Sequence, residues 1–185
     1  MIEENNVRKY IPCRSELSSP TTDWELVWRQ CRQAGLGSDL DSFNFKLLNG
    51  LPVTKQRFNH LTPGTPATCS HCQEGVQEDL QHALLHCLYN DGAGQALLSA
   101  VQVHLPETDA AALLRLELTN LPEELELPMM TFISCILMAI WDKRLSKSRI
   151  TLYEIRATLE ARCLLLRETR FNNQSAKLVE LKNYL

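Results

Sequence analysis

Apolar positions along this chain recur mostly three and four residues apart, the period of a helix. Trp24, Val27, Trp28 and Cys31 follow the i, i+3, i+4, i+7 pattern, after capping residues at Thr21-Thr22-Asp23 and before a stop at Gly35. A second helix starts at Ser38 or Asp39, buries Leu40, Phe43, Leu47 and Leu48, and stops at Gly50. Pro52 and Thr54 open a third through Phe58 and Leu61, and Pro63-Gly64-Thr65-Pro66 then breaks the chain. Leu80 to Cys87 reads as a short helix ended at Asn90-Asp91-Gly92. Residues 95–104 and 108–117 form two helical runs split by Pro106. Leu121 to Leu127 is an acidic stretch closed by Pro128, and a strong helix runs from Met129 to about Ser146. Thr151 and Glu154 make a capping box for a long helix to about Arg170, with Ile155, Leu159 and Leu166 on its stripe. Asn172-Asn173 breaks that helix, and Ser175 begins the last.

The expectation is a mainly α protein with a small Cys3His zinc knuckle. Residues 1–20 form a flexible arm, 21–104 a helical zinc-binding module, and 105–185 a helical C-terminal region packed on it as one compact unit. The most apolar stretch, Met129 to Trp141, is too short to span a bilayer. The polar N-terminus is no signal peptide.

The knuckle comes from Cys69, Cys72, His82 and Cys87, spaced C-x2-C-x9-H-x4-C. Two thiols two residues apart can grip one ion from a tight turn. A histidine and a third thiol on the next segment close a tetrahedron, the closed kind of site that holds one structural zinc. His82 and Cys87 are five apart, about 500° around an ideal α-helix or 140° net. Both reach one ion only if the helix tightens or ends near Cys87. His86 competes with His82 as the fourth ligand, since the two stand at i, i+4. His71, inside the cysteine turn, is expected to point outward. The structural alternative is a set of unmetallated core cysteines.

Cysteine usage supports the metal reading. Of seven cysteines, Cys13, Cys31, Cys135 and Cys163 lie outside the cluster. Cys31, Cys135 and Cys163 fall in apolar helical patterns, where free cysteine acts as a small hydrophobe. This favours a reducing, intracellular compartment, nuclear or cytoplasmic, over a disulfide framework. The Thr-Pro-Gly-Thr-Pro lead-in argues against a redox C-x-x-C, which opens a helix after a strand. The sequence carries no P-loop, no H-E-x-x-H and no G-x-S-x-G, so no enzyme is expected. Gly92-Ala93-Gly94 reads as a turn.

Charge narrows the partners. The formal net charge is −3, whereas nucleic-acid-binding domains usually carry a basic excess. Any such role falls to a local patch or to a partner domain. The largest basic cluster is Lys143, Arg144, Lys147 and Arg149, which otherwise reads as a solvated helix face and its turn.

Phe45-Lys46-Leu47-Leu48 through Leu51-Pro52-Val53-Thr54 to Arg57-Phe58, followed by Cys69, Cys72, the acidic Glu74 and Glu78, then His82 and Cys87, resembles the reverse-transcriptase zinc-binding domain of non-LTR, LINE-like retrotransposons. The likeness covers about residues 24–90. Leu137 to Arg144, Glu154-Ile155-Arg156 and Leu165 to Phe171 look like the helical region that follows the knuckle in animal members. The resemblance implies a non-catalytic zinc module that helps a polymerase engage RNA or DNA, with a reverse-transcriptase domain in cis or in trans as partner. Lys55 and Arg57, with Lys143, Arg144, Lys147 and Arg149, would then meet phosphates. No membrane and no small-molecule substrate are implied. The alternative is a protein-interaction module, favoured by the acidic balance and by Leu178, Leu181 and Leu185 at i, i+3, i+7.

Overall fold

A computed structural model of the chain describes residues 17, 19–34, 36–72, 75–167 and 172–185. Its helices are α1 (Trp24–Ala34), α2 (Ser38–Leu48), α3 (Lys55–Leu61), α4 (Ala93–Gln102), α5 (Ala110–Leu114), α6 (Glu123–Leu145), α7 (Leu152–Arg167) and α8 (Asn172–Lys182). A π turn at His82–His86 and a 3-10 turn at Leu88–Asn90 lie between α3 and α4. Thr68 and Gln77 form an isolated antiparallel bridge, and no strand is found among the described residues. The expected mainly α architecture holds.

Local chemistry sets the helix starts. Asp23 accepts from the Leu26 amide ahead of α1, Thr54 from Arg57 at α3, and Asp109 from Ala112 at α5. Each satisfies one of the amides that a first turn leaves without a partner. The capping box at α7 forms in full. The Thr151 amide donates to Glu154 Oε2 at 2.9 Å, and the Glu154 amide donates to Thr151 Oγ1 at 3.2 Å.

α6 is the axis of the fold. It packs on α1, α2, α4, α7, α8 and the π turn, and from Pro128 to Leu137 every residue is buried. A helix apolar on all sides belongs inside other helices or inside a bilayer. By length and composition α6 suits either, but 61% of its apolar window is buried within the protein itself. One apolar cluster runs from Leu17 and Val27 through Leu97 and Phe132 to Leu178, so residues 21–104 and 105–185 share a single core.

Several boundaries differ from expectation, each for a physical reason. Pro128 does not separate an acidic stretch from the helix; α6 begins at Glu123 and passes through it. Proline forfeits one ladder bond, to the Glu124 carbonyl, at an exposed residue where water can take its place. Glu123, Glu124 and Glu126 lie in the first turn, where the helix dipole favours acids. The run expected over 108–117 helps form only α5, because the chain turns at Leu116, which takes φ +54° and buries its side chain completely. Asn172-Asn173, expected as a break, instead starts α8. Leu17, placed in the expected arm, is only 2% exposed and belongs to the core. The rest of that arm (residues 1–16 and 18), the Gly35 stop and residues 168–171 lie outside the described residues.

Gly94 marks a close approach that periodicity does not reveal. A Cβ there would stand 2.3 Å from Leu85 Cα and 2.4 Å from the Leu84 carbonyl oxygen. Backbone cannot give way as a flexible side chain can. Gly94→Ala is therefore expected to lose at least about 1–3 kcal/mol of stability, read as a lower urea midpoint; an unchanged midpoint would show that α4 does not press on the π turn.

Candidate metal centre

Two local structures carry the four expected ligands. The first is a tight reversal in which the Cys69 amide donates to the Val76 carbonyl at 2.8 Å and the Glu78 amide to the Ala67 carbonyl at 2.9 Å. It presents both Cys69 and Cys72 inward, 7% exposed each. The His71 amide points back at Cys69 Sγ, 3.4 Å away. Gln73 and Glu74 lie outside the described residues.

The second is the π turn. Asp79 Oδ1 accepts from the His82 amide at 2.7 Å, starting the turn. The Cys87 amide then donates to the His82 carbonyl at 2.8 Å. That is an i→i+5 bond, and it joins the two ligands whose spacing fits an α-helix badly. A wider turn returns the fifth residue close to the side of the first. Cys87 itself leaves the helix, with φ −66° and ψ 123°. The segment does end at Cys87 as expected, but it widens where tightening was the anticipated alternative. The widened turn leaves carbonyls without ladder partners. Asn90 Nδ2 donates to the Ala83 carbonyl at 2.9 Å, and Gln95 Nε2 to the Leu85 carbonyl at 3.3 Å.

Together these place Cys69 Sγ, Cys72 Sγ, a His82 ring nitrogen and Cys87 Sγ within 4.8 Å of one another, all buried. Cys69 Sγ and Cys87 Sγ are 3.8 Å apart, and Cys72 Sγ lies 3.2 Å from His82 Nε2. A tetrahedral ion with metal–sulfur bonds of about 2.3 Å puts its sulfurs about 3.8 Å apart. None of these cysteines is in a disulfide. Donor type, number and spacing therefore fit one tetrahedral metal ion. The competitors are elsewhere. His86 is exposed, with Nδ1 2.6 Å from Gln95 Nε2. His71 does not point freely outward: half-buried, its ring packs on Tyr89 at 4.9 Å between centroids.

A partner that sequence reading missed comes from the far end of α6. Arg144, only 5% exposed, donates from Nη2 to Cys69 Sγ at 3.1 Å and pairs with Glu78 Oε2. Glu78 Oε1 accepts the Lys55 amide at 3.1 Å, so one carboxylate links the start of α3, the cysteine reversal and α6. Burial alone would push the Cys69 thiol up. The Cys72 and His71 amides and the Arg144 guanidinium outweigh it and hold the thiol below its usual value. Burial first, then Arg144 with Lys55 and Lys147, holds the His71 imidazole low against the pull of Glu78.

This placement corrects the basic cluster. Arg144, expected to meet phosphates, is a buried partner of the metal centre. Lys143 is paired with Glu154, which caps α7. Lys147 and Arg149 are exposed, Lys55 and Arg57 half-exposed. Lys55 and Lys147 both act electrostatically on His71.

Metal binding requires deprotonated thiols and a neutral imidazole, so affinity falls as pH falls. Acidification of the metal-loaded protein from pH 7.5 to 5 is expected to release the ion, measured with a colorimetric chelator. Alkylation at pH 8, mapped by mass spectrometry, is expected to label Cys69, Cys72 and Cys87 only after chelation. Cys135, whose thiol burial pushes up to about 12, stays unlabelled with or without metal; labelling of all four at equal rates would contradict the buried cluster. No protein-family model, no curated protein and no solved structure matches this chain.

Proposed function

We propose that the chain is a non-catalytic, structural zinc-binding module of a retrotransposon-derived reverse transcriptase protein, working inside the cell, in nucleus or cytoplasm, and assisting engagement of RNA or DNA. One observation carries the reading: four buried donors, three sulfurs and one imidazole nitrogen, lie within 4.8 Å of one another. Zinc suits that donor set and has no need of a further ligand. A closed centre leaves no coordination position for water, which favours a cross-link over a hydrolytic site. Cys69 and Cys72 would hold the ion from the reversal, His82 and Cys87 from the π turn. In small zinc peptides such a cross-link is worth roughly 10–16 kcal/mol of apparent binding free energy.

Lys55, Arg57, Lys147 and Arg149 remain the candidate phosphate contacts, with Arg144 withdrawn and Lys143 engaged by Glu154. Interaction with a reverse-transcriptase domain, in cis or in trans, belongs to the same reading.

A second reading, a protein-interaction module, has an observation of its own. Leu178 and Leu181, first considered for it, are buried in the core. Instead, a groove of about 550 Å³ lies between α2 and the end of α6, walled by Phe43, Leu51, Val53, Met138, Trp141 and Leu145. Leu51, Val53 and Leu145 are 44%, 54% and 65% exposed along it, an apolar surface of the kind partners cover.

Protein purified without added metal is expected to carry about one zinc per chain by elemental analysis, lost in Cys72→Ser with a fall in thermal midpoint. Fluorescence anisotropy with labelled RNA and DNA oligonucleotides is expected to show micromolar binding that weakens steeply between 50 and 200 mM salt. Lys147→Glu with Arg149→Glu should lower the slope of log affinity against log salt by about 1.4 on single strands. Metal-loaded protein with no salt-sensitive binding would end the nucleic-acid reading and leave the groove as the better guide.

A further inference from the structure

Arg144 is a cation buried at the last turn of α6, 75 residues from the sulfur it touches. A buried charge is stable only when paired and fully hydrogen-bonded. Its Nη2 meets Cys69 Sγ and Glu78 Oε2. Its Nη1 is buried with no acceptor. Cys87 Sγ lies 3.8 Å from Cys69 Sγ, within the span of a guanidinium already fixed on Cys69. Three thiolates and a neutral imidazole around a divalent ion carry a net charge of −1, so a loaded centre supplies the anionic acceptor that Nη1 lacks.

We propose that Arg144 is a positioning residue of the metal centre, a fork that donates to the Cys69 and Cys87 thiolates together and makes metal retention depend on the C-terminal turn of α6. This inference rests on the cluster holding a metal. The fork is planar and rigid, which a lysine ammonium is not. Hydrogen bonds to a thiolate withdraw charge from sulfur and fix its direction, as outer partners do for other metal ligands. The end of α6 and the turn just after it make two more ties. Lys143 pairs with Glu154 of the α7 capping box, and the Lys147 carbonyl accepts from Tyr89 Oη at 2.7 Å, two residues beyond Cys87. Gain or loss of the ion would thus be felt where α6 hands over to α7.

The test uses the full chain loaded with Co(II), whose thiolate charge-transfer band reports the sulfurs directly. Arg144→Gln is expected to bind Co(II) about 10–100-fold more weakly and to shift that band. Arg144→Lys should fall between, keeping the charge but donating to one sulfur. Glu78→Gln removes the same ion pair while sparing the sulfur contacts, so it should keep the wild-type band even where stability and affinity fall. Equal losses in Arg144→Gln and Glu78→Gln, with an unmoved band, would mean a merely structural ion pair and overturn the proposal. So would an Arg144→Gln protein matching wild type in both band and affinity. If Arg144→Gln fails to fold by circular dichroism, the band position of Arg144→Lys decides: shifted supports the fork, unshifted rejects it. Wild-type protein giving no tetrahedral Co(II) spectrum would instead overturn the metal reading itself.

Discussion

The i→i+5 hydrogen bond from the Cys87 amide to the His82 carbonyl is the constraint on which the rest of this structure depends. In α-helical geometry residues five apart diverge by about 140°, and no single ion could draw on both. The wider turn brings them to one side but strands backbone acceptors, which must find partners when buried. Asn90 and Gln95 supply them, and Gly94 lets α4 approach close enough for Gln95 to reach. Bringing His82 and Cys87 to one side therefore fixes residues on the following turn and helix that belong to neither. π turns of this kind are rare and tend to occur at functional sites.

The second constraint is electrostatic and long-range. Glu78 and Arg144 are both almost fully buried, in a region where unpaired charge is costly. Their pairing, together with the Lys55 amide, locks the cysteine reversal to α3 and α6. The Cys3His cluster is thus inlaid in the helical core through charge, whereas the core itself is held by apolar contact around α6. The two kinds of cohesion meet at one helix end.

Much of this was legible in the sequence, and what was not has physical causes. Helical period located α1, α2 and α7, because side chains on one face of a helix share one environment. The ligand set was legible because its spacing is local. Pro128 misled because proline's cost, a lost bond and a clash of its ring with the preceding turn, is outweighed by core packing of the flanking residues. The start of α8 misled because asparagine is a weak helix former that can also sit in a first turn. Arg144 could not be recognised: a basic residue near a helix end has the same local signature whether it faces water or a sulfur 75 positions away. Only the three-dimensional path decides, and it carries Arg144 from the surface into the interior.

That separation has a consequence for the order in which the molecule can be assembled. The ligands span a short segment, with Cys69 and Cys87 18 residues apart, and the entropy of closing so short a loop is small. On a ribosome adding about 5–20 residues per second, the ligand segment emerges seconds before Arg144 does. The nascent chain can therefore enclose an ion while α6 is still unmade. If Arg144 forks the two sulfurs as proposed, the late arrival of one guanidinium separates a provisional capture from a committed one. A chain truncated before Arg144 would hold its metal on the terms of a short peptide, and the finished chain on those of a folded protein.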